Sequence, residues 1–463
     1  MSTEKPPLTP NASGASALPR AAATAFDGFP EPGAVAIGPL PQGLSGWMAR
    51  VADRASNTAD RRDLPFAPAL DAVFPDGLLI ADLHSDTLLW GVDPHERRDS
   101  GHMDVPRLRD ARVGLQVFGG PTWTPLPMKN SEQALCVSCE SIDQSDALFP
   151  TQWIDRLRRE KGALRRRRAF RLAERFQQMI DADRDSVLRP VLTPGDLDDL
   201  GEGRDGKPTA VMLSLEGVHW LEPDTPRVEI EREMALLRAA GYRMIAPTHR
   251  FSNGLGGASE DCHGRRGLSA GGRAAIEACF EQRIAVDLAH ASPALIREAA
   301  GLALNAHDGP VPLIVSHAGI RASHRVARNL RDADIRAVAS TGGLIGIGVW
   351  YEAVGFEKSD AWETKVERIV DAFAAALGAL RHPEFAEEME DRFGRYDPFE
   401  HLAIGSDFDG ATSTPFDVSG LSWLLAALLS RRDERGASLV PVDKLRLIAG
   451  QNTARVLRML LSR

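Results

Sequence analysis

Apolar residues recur along the chain in short unbroken runs, each closing on polar residues and followed by a loop and a stretch with apolar positions at helical spacing. Eight such runs stand out: 78–86 (LLIADLHSD), 113–118 (VGLQVF), 209–217 (TAVMLSLEG), 242–249 (YRMIAPTH), 284–290 (IAVDLAH), 312–317 (PLIVSH), 343–350 (GLIGIGVW) and 401–409 (HLAIGSDFD). A continuous apolar run, unlike an alternating one, marks a strand buried on both faces. Eight of them alternating with helical stretches predict an α/β fold, a (β/α)8 TIM-type barrel, with an open doubly wound sheet as the second choice.

Two helical insertions break the rhythm, at about 119–208 and 351–400. The first includes 153–183, where the Arg165–Arg168 run reads as a solvated basic face paired with nearby Glu and Asp. Residues 1–40 are rich in Pro, Ala, Gly and Ser without a periodic apolar face, so burial cannot offset the entropy of ordering them and a disordered tail is expected. Leu44, Met48 and Val51 place a short amphipathic helix over 43–56. The resulting organisation is a tail followed by one barrel domain over 41–463.

Composition narrows the function. With 463 residues, 43% hydrophobic and 26% charged, the chain has ample core for a globular protein. Its 55 Lys and Arg against 64 Asp and Glu give a net charge of −9, which offers no cationic field for nucleic acid. No apolar run of about 18 residues and no secretory h-region occur, so neither a membrane partner nor export is expected, and the default address is cytoplasmic. Four cysteines are too few for a disulfide framework. Cys136 and Cys139 (CVSC) lack a second pair to complete a zinc site and read as ordinary thiols, and Cys262 and His263 as loop residues.

Nearly every run ends in His, Asp or Glu, and the C-terminal strand ends of a barrel converge on one site. His84 and Asp86 lie two apart on a strand, on one face, where they can ligate a metal together. Glu216, His249, His290, His317 and Asp407 end other strands. Each alone reads as a hydrogen-bonded structural residue. Together, these imidazoles and carboxylates would leave unpaired buried charge unless a divalent cation satisfied them. Mixed His and carboxylate ligands favour Zn2+ over Mn2+ or another first-row ion, and their number suggests two ions with Glu216 bridging them. Two such ions generate hydroxide near neutral pH, which implies hydrolysis. His102 and Asp104 imitate the first pair but lie in a loop and read as structural, and His219 and Trp220 are candidate pocket residues.

The motifs ADLHSDT (81–87), GHMDVPRL (101–108), LSLEGVHWL (213–221), YRMIAPTHRFSN (242–253), GLSAGGRAAI (267–276), VDLAHAS (286–292), VSHAG (315–319), RVARNL (325–330), IGSDFDG (404–410) and GQNTARVL (450–457) occur in this order. Together they resemble the membrane (renal) dipeptidase family of zinc metallopeptidases over about 78–460, and within it the soluble bacterial-type members rather than the lipid-anchored animal ones. The resemblance implies a barrel of the metal-dependent hydrolase kind. It implies that His84 and Asp86 hold the first zinc, Glu216 bridges, and His290 and His317 hold the second. His249 resembles the residue that polarises the scissile carbonyl, Arg328 the one that grips the substrate carboxylate, and Asp407 the acid/base, with Asp409 two residues away as its rival. The physical roles agree: a planar guanidinium fork matches a carboxylate, and Asp407 can pass the water proton to the leaving amine. The expected activity is hydrolysis of dipeptides by a hydroxide between two zinc ions, including by resemblance those with a C-terminal D-residue. The alternatives are a related amidohydrolase acting on N-acyl amino acids or other small amides, and a non-catalytic binding protein keeping the pocket. Members of the family are often homodimers.

Overall fold

The computed structural model describes residues 51–124, 161–198, 200, 207–260, 266–433 and 436–463. All eight expected strands form: β1 (Ile80–Asp82), β2 (Val113–Phe118), β3 (Thr209–Glu216), β4 (Tyr242–Ala246), β5 (Ala285–Val286), β6 (Ile314–Ala318), β7 (Leu344–Ile347) and β8 (Leu402–Ile404). Every residue of β3 and β4 is buried, as the unbroken apolar runs require. Neighbours pair in parallel in chain order from β1 to β5 and from β6 to β8, and β8 returns to β1 through Asp82 and Ile404. β5 meets β6 through a single bridge, Asp287 to Ile314. The result is the barrel, with helices outside it.

Its two thinnest seams, β8–β1 and β5–β6, carry the same side-chain stitch. Asp82 accepts from the Ser406 amide (2.7 Å), the Ser406 hydroxyl (2.7 Å) and the Gln116 side chain (2.9 Å). Asp287 accepts from the Ser316 amide (2.8 Å), the Ser316 hydroxyl (2.6 Å) and the Ala289 amide (3.0 Å). All four partners are buried, where an unpaired donor is costly, so each carboxylate replaces ladder bonds that a two- or three-residue strand cannot supply. At these seams the strands stop short of the apolar runs. Past Asp82 and Asp287 the backbone turns, and His84 and His290 sit just beyond the strand ends.

Helices start on the caps the sequence provides. Ser292 accepts from the Leu295 amide with Pro293 following it, and Ser269 accepts from the Gly272 amide. Residues 51–56 are helical, in line with the end of the expected helix, while the rest of that helix and the tail lie outside the described residues. A two-stranded parallel sheet, Thr58–Arg61 with Ser413–Phe416, was not expected, because neither segment has an apolar run.

The insertions include the helices Lys161–Ala182, Trp362–Leu380 and Pro383–Phe393 and a short strand, Leu188–Pro190, that pairs with β3. The expectation of a solvated face at Arg165–Arg168 is corrected. Arg165 donates to the His219 carbonyl (3.0 Å), Arg168 to the Thr122 carbonyl (3.2 Å), and Arg175 two turns on to the carbonyls of Leu88 (2.8 Å) and Leu89 (3.0 Å). Arg166 pairs at 2.8 Å with Glu233, which lies not nearby in the chain but on the helix Arg227–Ala239. The helix thus grips the loops that follow β1, β2 and β3. No helix among the described residues is long and apolar enough to cross a membrane.

Removing the Asp82 carboxylate strands the Ser406 amide and loosens its hydroxyl, at a cost of roughly 1–3 kcal/mol per unsatisfied donor. Asp82→Ala should lower the thermal unfolding midpoint of the metal-free protein by several degrees, and Asp82→Asn, which keeps one acceptor, by less. Midpoints unchanged in both would show that the backbone ladder alone holds the seam.

Candidate metal centre

The polar ends of the strands meet at the mouth of the barrel. His84 and Asp86 follow β1, Glu216 ends β3, His249 follows β4, His290 follows β5, His317 lies in β6 and Asp407 follows β8. Glu216, 2% exposed, is their centre. Its Oε2 is 3.6 Å from His84 Nε2 and 3.9 Å from His249 Nε2, and its Oε1 is 3.1 Å from His290 Nε2 and 3.5 Å from His317 Nε2. His84 Nε2 is also 3.5 Å from Asp86 Oδ1 and 4.0 Å from Asp407 Oδ1. All the residues expected from the sequence to hold metal are therefore brought together.

Among the described residues, three overlapping triads have ligand atoms close enough to share an ion: His84, Asp86 and Glu216; Glu216, His249 and His290; His84, His317 and Asp407. Both ring nitrogens of His84, Asp86 Oδ1 and Glu216 Oε1 are sealed from solvent without a hydrogen-bond partner among the described residues. Orphaned polar atoms of this kind are expensive in a protein interior, and imidazole nitrogens facing carboxylate oxygens form a donor set suited to zinc or a neighbouring first-row ion. The residues fit a metal.

The electrostatics carry the same strain. Burial disfavours charge on His84, but Glu216, Asp86 and Asp407 outweigh it and push the imidazole up to about 10. Burial drives the Glu216 carboxyl well above the usual range, with His84 opposing and Asp86 adding to the rise. The Asp407 carboxyl is raised by burial as well, again with His84 opposing and Asp86 adding. Burial holds His249, His290 and His317 well below ordinary imidazole values, with the Arg328 cation contributing in each case. A cation placed among these groups relieves both effects, since it favours ionised carboxylates and binds neutral imidazoles.

His249 is oriented from behind: its Nδ1 faces the Trp123 carbonyl at 3.2 Å and the Thr124 hydroxyl at 3.4 Å, which leaves Nε2 toward Glu216. Arg328 is braced rather than free. It donates to the Ala289 carbonyl through one terminal nitrogen and to the His317 carbonyl through the other at 2.8 Å, with Nε 3.6 Å from Glu260 Oε1.

The structure separates the two aspartates of SDFDG. Asp407 and Asp409 both have left-handed backbone, with φ of 58° and 61°, and the loop sends them to different sides. Asp407 joins His84. Asp409 is fully buried and taken up by the Thr87 hydroxyl (2.7 Å), Arg98 (2.9 Å) and the His102 amide (2.5 Å). His102 and Asp104 are structural, as expected, Asp104 capping the helix Val105–Asp110. His219 is buried against Trp123 and bonded to Thr122, and burial together with Arg165 pushes it to about 3, while the Trp220 indole turns to Glu233. Cys136, Cys139, Cys262 and His263 lie outside the described residues.

Glu260 was missed. It is buried, bonded to Arg250 at 2.8 Å and 3.8 Å from His290 Nδ1. A single Glu in a Gly-rich loop gives no periodic signal. Asp287 and Ser316 were also missed, although the repeat of Asp-Leu-His at 82–84 as Asp-Leu-Ala-His at 287–290 marks the place of Asp287.

Comparison with known proteins follows the same lines. Residues 76–461 match the membrane dipeptidase family, peptidase family M19. Dipeptidase tcpJ of Claviceps purpurea is 28% identical over 261 residues, 55% of this chain and 52% of that protein, so the match spans about half its length. An uncharacterized protein in the pqqA 5′ region of Klebsiella pneumoniae is 26% identical over 242 residues, 50% of this chain and 77% of the other. A metallopeptidase from Rhodobacter sphaeroides, solved with a phosphinate mimic of the dipeptide L-Ala-D-Ala, superposes with a TM-score of 0.56 at 19% identity over 82% of this chain and 99% of its own. The probable dipeptidase PvdM from Pseudomonas aeruginosa gives 0.56 at 17% identity over 85% and 99%. At these identities the two structures speak to the fold, and it is the match over 76–461 that assigns the lineage: the chain belongs to the membrane dipeptidase family of metallopeptidases.

Proposed function

We propose that the chain hydrolyses dipeptides with a free C-terminal carboxylate, working with two zinc ions, one held by His84, Asp86 and Glu216 and the other by Glu216, His290 and His317. The orientation of Glu216 supports this most directly. One of its oxygens faces His84 at 3.6 Å and the other faces His290 and His317 at 3.1 and 3.5 Å, so the one carboxylate would serve both ligand groups. When bound, the ions supply Lewis acidity and make the water they hold acidic.

The chain's own groups do the rest. Asp407, beside His84 and with its carboxyl raised by burial, takes the proton of the attacking water and passes it to the leaving amine. His249 presents Nε2 to the scissile carbonyl. Donating from that atom requires a charged ring, which burial opposes in the resting site and a developing oxyanion favours. Arg328 receives the substrate carboxylate. Because its guanidinium is tied to the carbonyls of Ala289 and His317, its distance from the reacting centre is fixed, which favours dipeptides over longer peptides. The L-Ala-D-Ala mimic bound by the Rhodobacter sphaeroides relative supports including substrates with a C-terminal D-residue.

Chelator-stripped protein assayed on L,L- and L,D-dipeptides and on N-acyl amino acids should be inactive, and dipeptide turnover should return and saturate at about two zinc ions per chain. Turnover of N-acyl amino acids alone would replace the substrate and keep the centre. Glu216→Gln should lose metal affinity on the order of a hundredfold or more, together with activity; full metal content in that variant would remove Glu216 from the ligand set. Arg328→Ala should reduce kcat/KM for a dipeptide by about 10- to 100-fold and for its C-terminal amide much less. Equal losses on both would refute the carboxylate contact.

A further inference from the structure

Of the imidazoles His84, His290 and His317, the first two have no hydrogen-bond partner at Nδ1 among the described residues, whereas His317 does. Its Nδ1 lies 2.8 Å from the Ser316 hydroxyl, which lies 2.6 Å from Asp287 Oδ2. All three residues are buried, at 1%, 0% and 2% exposure. A hydroxyl has one hydrogen, and a carboxylate only accepts, so the Ser316 hydrogen goes to Asp287. The serine oxygen is then left to accept, and the hydrogen of the His317 ring resides on Nδ1. That leaves the lone pair on Nε2, which faces Glu216 Oε1 at 3.5 Å and His290 Nε2 at 3.1 Å.

The same carboxylate also shapes the backbone on both sides of the seam. Asp287 Oδ1 accepts the amides of Ser316, next to His317, and of Ala289, next to His290. One buried anion therefore sets the strand end that carries one imidazole and the turn that carries the other. Stacking of His317 on His84, with ring centroids 4.0 Å apart, fixes the plane of the ring but not which nitrogen is protonated. The hydroxyl does that.

We infer that Asp287 is a positioning residue that acts through Ser316 to hold His317 with its Nε2 lone pair turned into the centre, and so sets the affinity of one of the two metal positions. This rests on the two-ion proposal above. Outer partners that orient a ligating histidine are worth about 10- to 100-fold in metal affinity. Ser316→Ala removes the relay and keeps the Asp287 carboxylate on the two amides, so the seam survives.

The test is zinc titration of chelator-stripped wild type and Ser316→Ala, with 15N spectra of the histidine rings and melting of both metal-free proteins. The expected result is loss of about 10- to 100-fold in the affinity of one ion, little change in the other, a similar melting temperature, and a His317 ring that moves from Nδ1–H in the wild type toward Nε2–H in the variant. Two unchanged binding steps, or a wild-type ring protonated on Nε2, would overturn the relay. Equal weakening of both ions together with a lowered melting temperature would also overturn it, by assigning Ser316 to the fold alone. Wild type that takes up fewer than two ions would sink the two-ion proposal, and the 15N spectra of the metal-free proteins would still judge the relay.

Discussion

A carboxylate sealed at the end of an apolar strand must find positive charge, and much of this molecule is arranged around that need at Glu216. β3 carries it inward through eight buried residues, and four imidazoles from four other strand ends stand within 4 Å of its oxygens. Without a cation the cluster resolves its charge poorly: carboxyls are lifted, three imidazoles are suppressed and one is forced to hold a proton. The barrel supplies what such a cluster demands, a rigid rim where side chains from many strands arrive at one point from different directions. The stability given up in burying these groups is what prepares the site for a metal.

Rigidity at that rim is not a property of the backbone ladder alone. β1, β5 and β8 are two or three residues long, and the seams they form would be weak if main-chain bonds were all that closed them. Asp82 and Asp287 solve the problem twice in the same way, each reaching across to a serine on the neighbouring chain segment. Each of those serines directly precedes a residue of the centre, Asp407 or His317. Closing the barrel and aiming the site are thus performed by the same bonds.

The strands were legible because burial on both faces leaves an unbroken apolar run, and the site was legible because those runs end in groups with no structural reason to be there. What escaped the sequence depends on partners distant along the chain. The Thr58–Arg61 strand is polar and is defined by its pairing with Ser413–Phe416, some 350 residues on. Glu260 matters through Arg250 and Arg328 and through nothing periodic around it. Asp407 and Asp409 are alike in sequence and in backbone angle, and partners such as Arg98, Thr87 and the His102 amide take Asp409 out of the mouth. The arginines at 165–168 look like a surface run until the loops they hold are in place.

Arg165 and Arg168 grip main-chain oxygen. Arg165, Arg168 and Arg175 bind carbonyls of the loops after β3, β2 and β1, and Arg328 binds the carbonyls of Ala289 and His317. A carbonyl is present whatever the side chain, so such a clamp makes no demand on the identity of the residue it holds. The loops at the mouth can accordingly drift in sequence over generations, exploring new pocket walls, while the frame that keeps them in register stays the same.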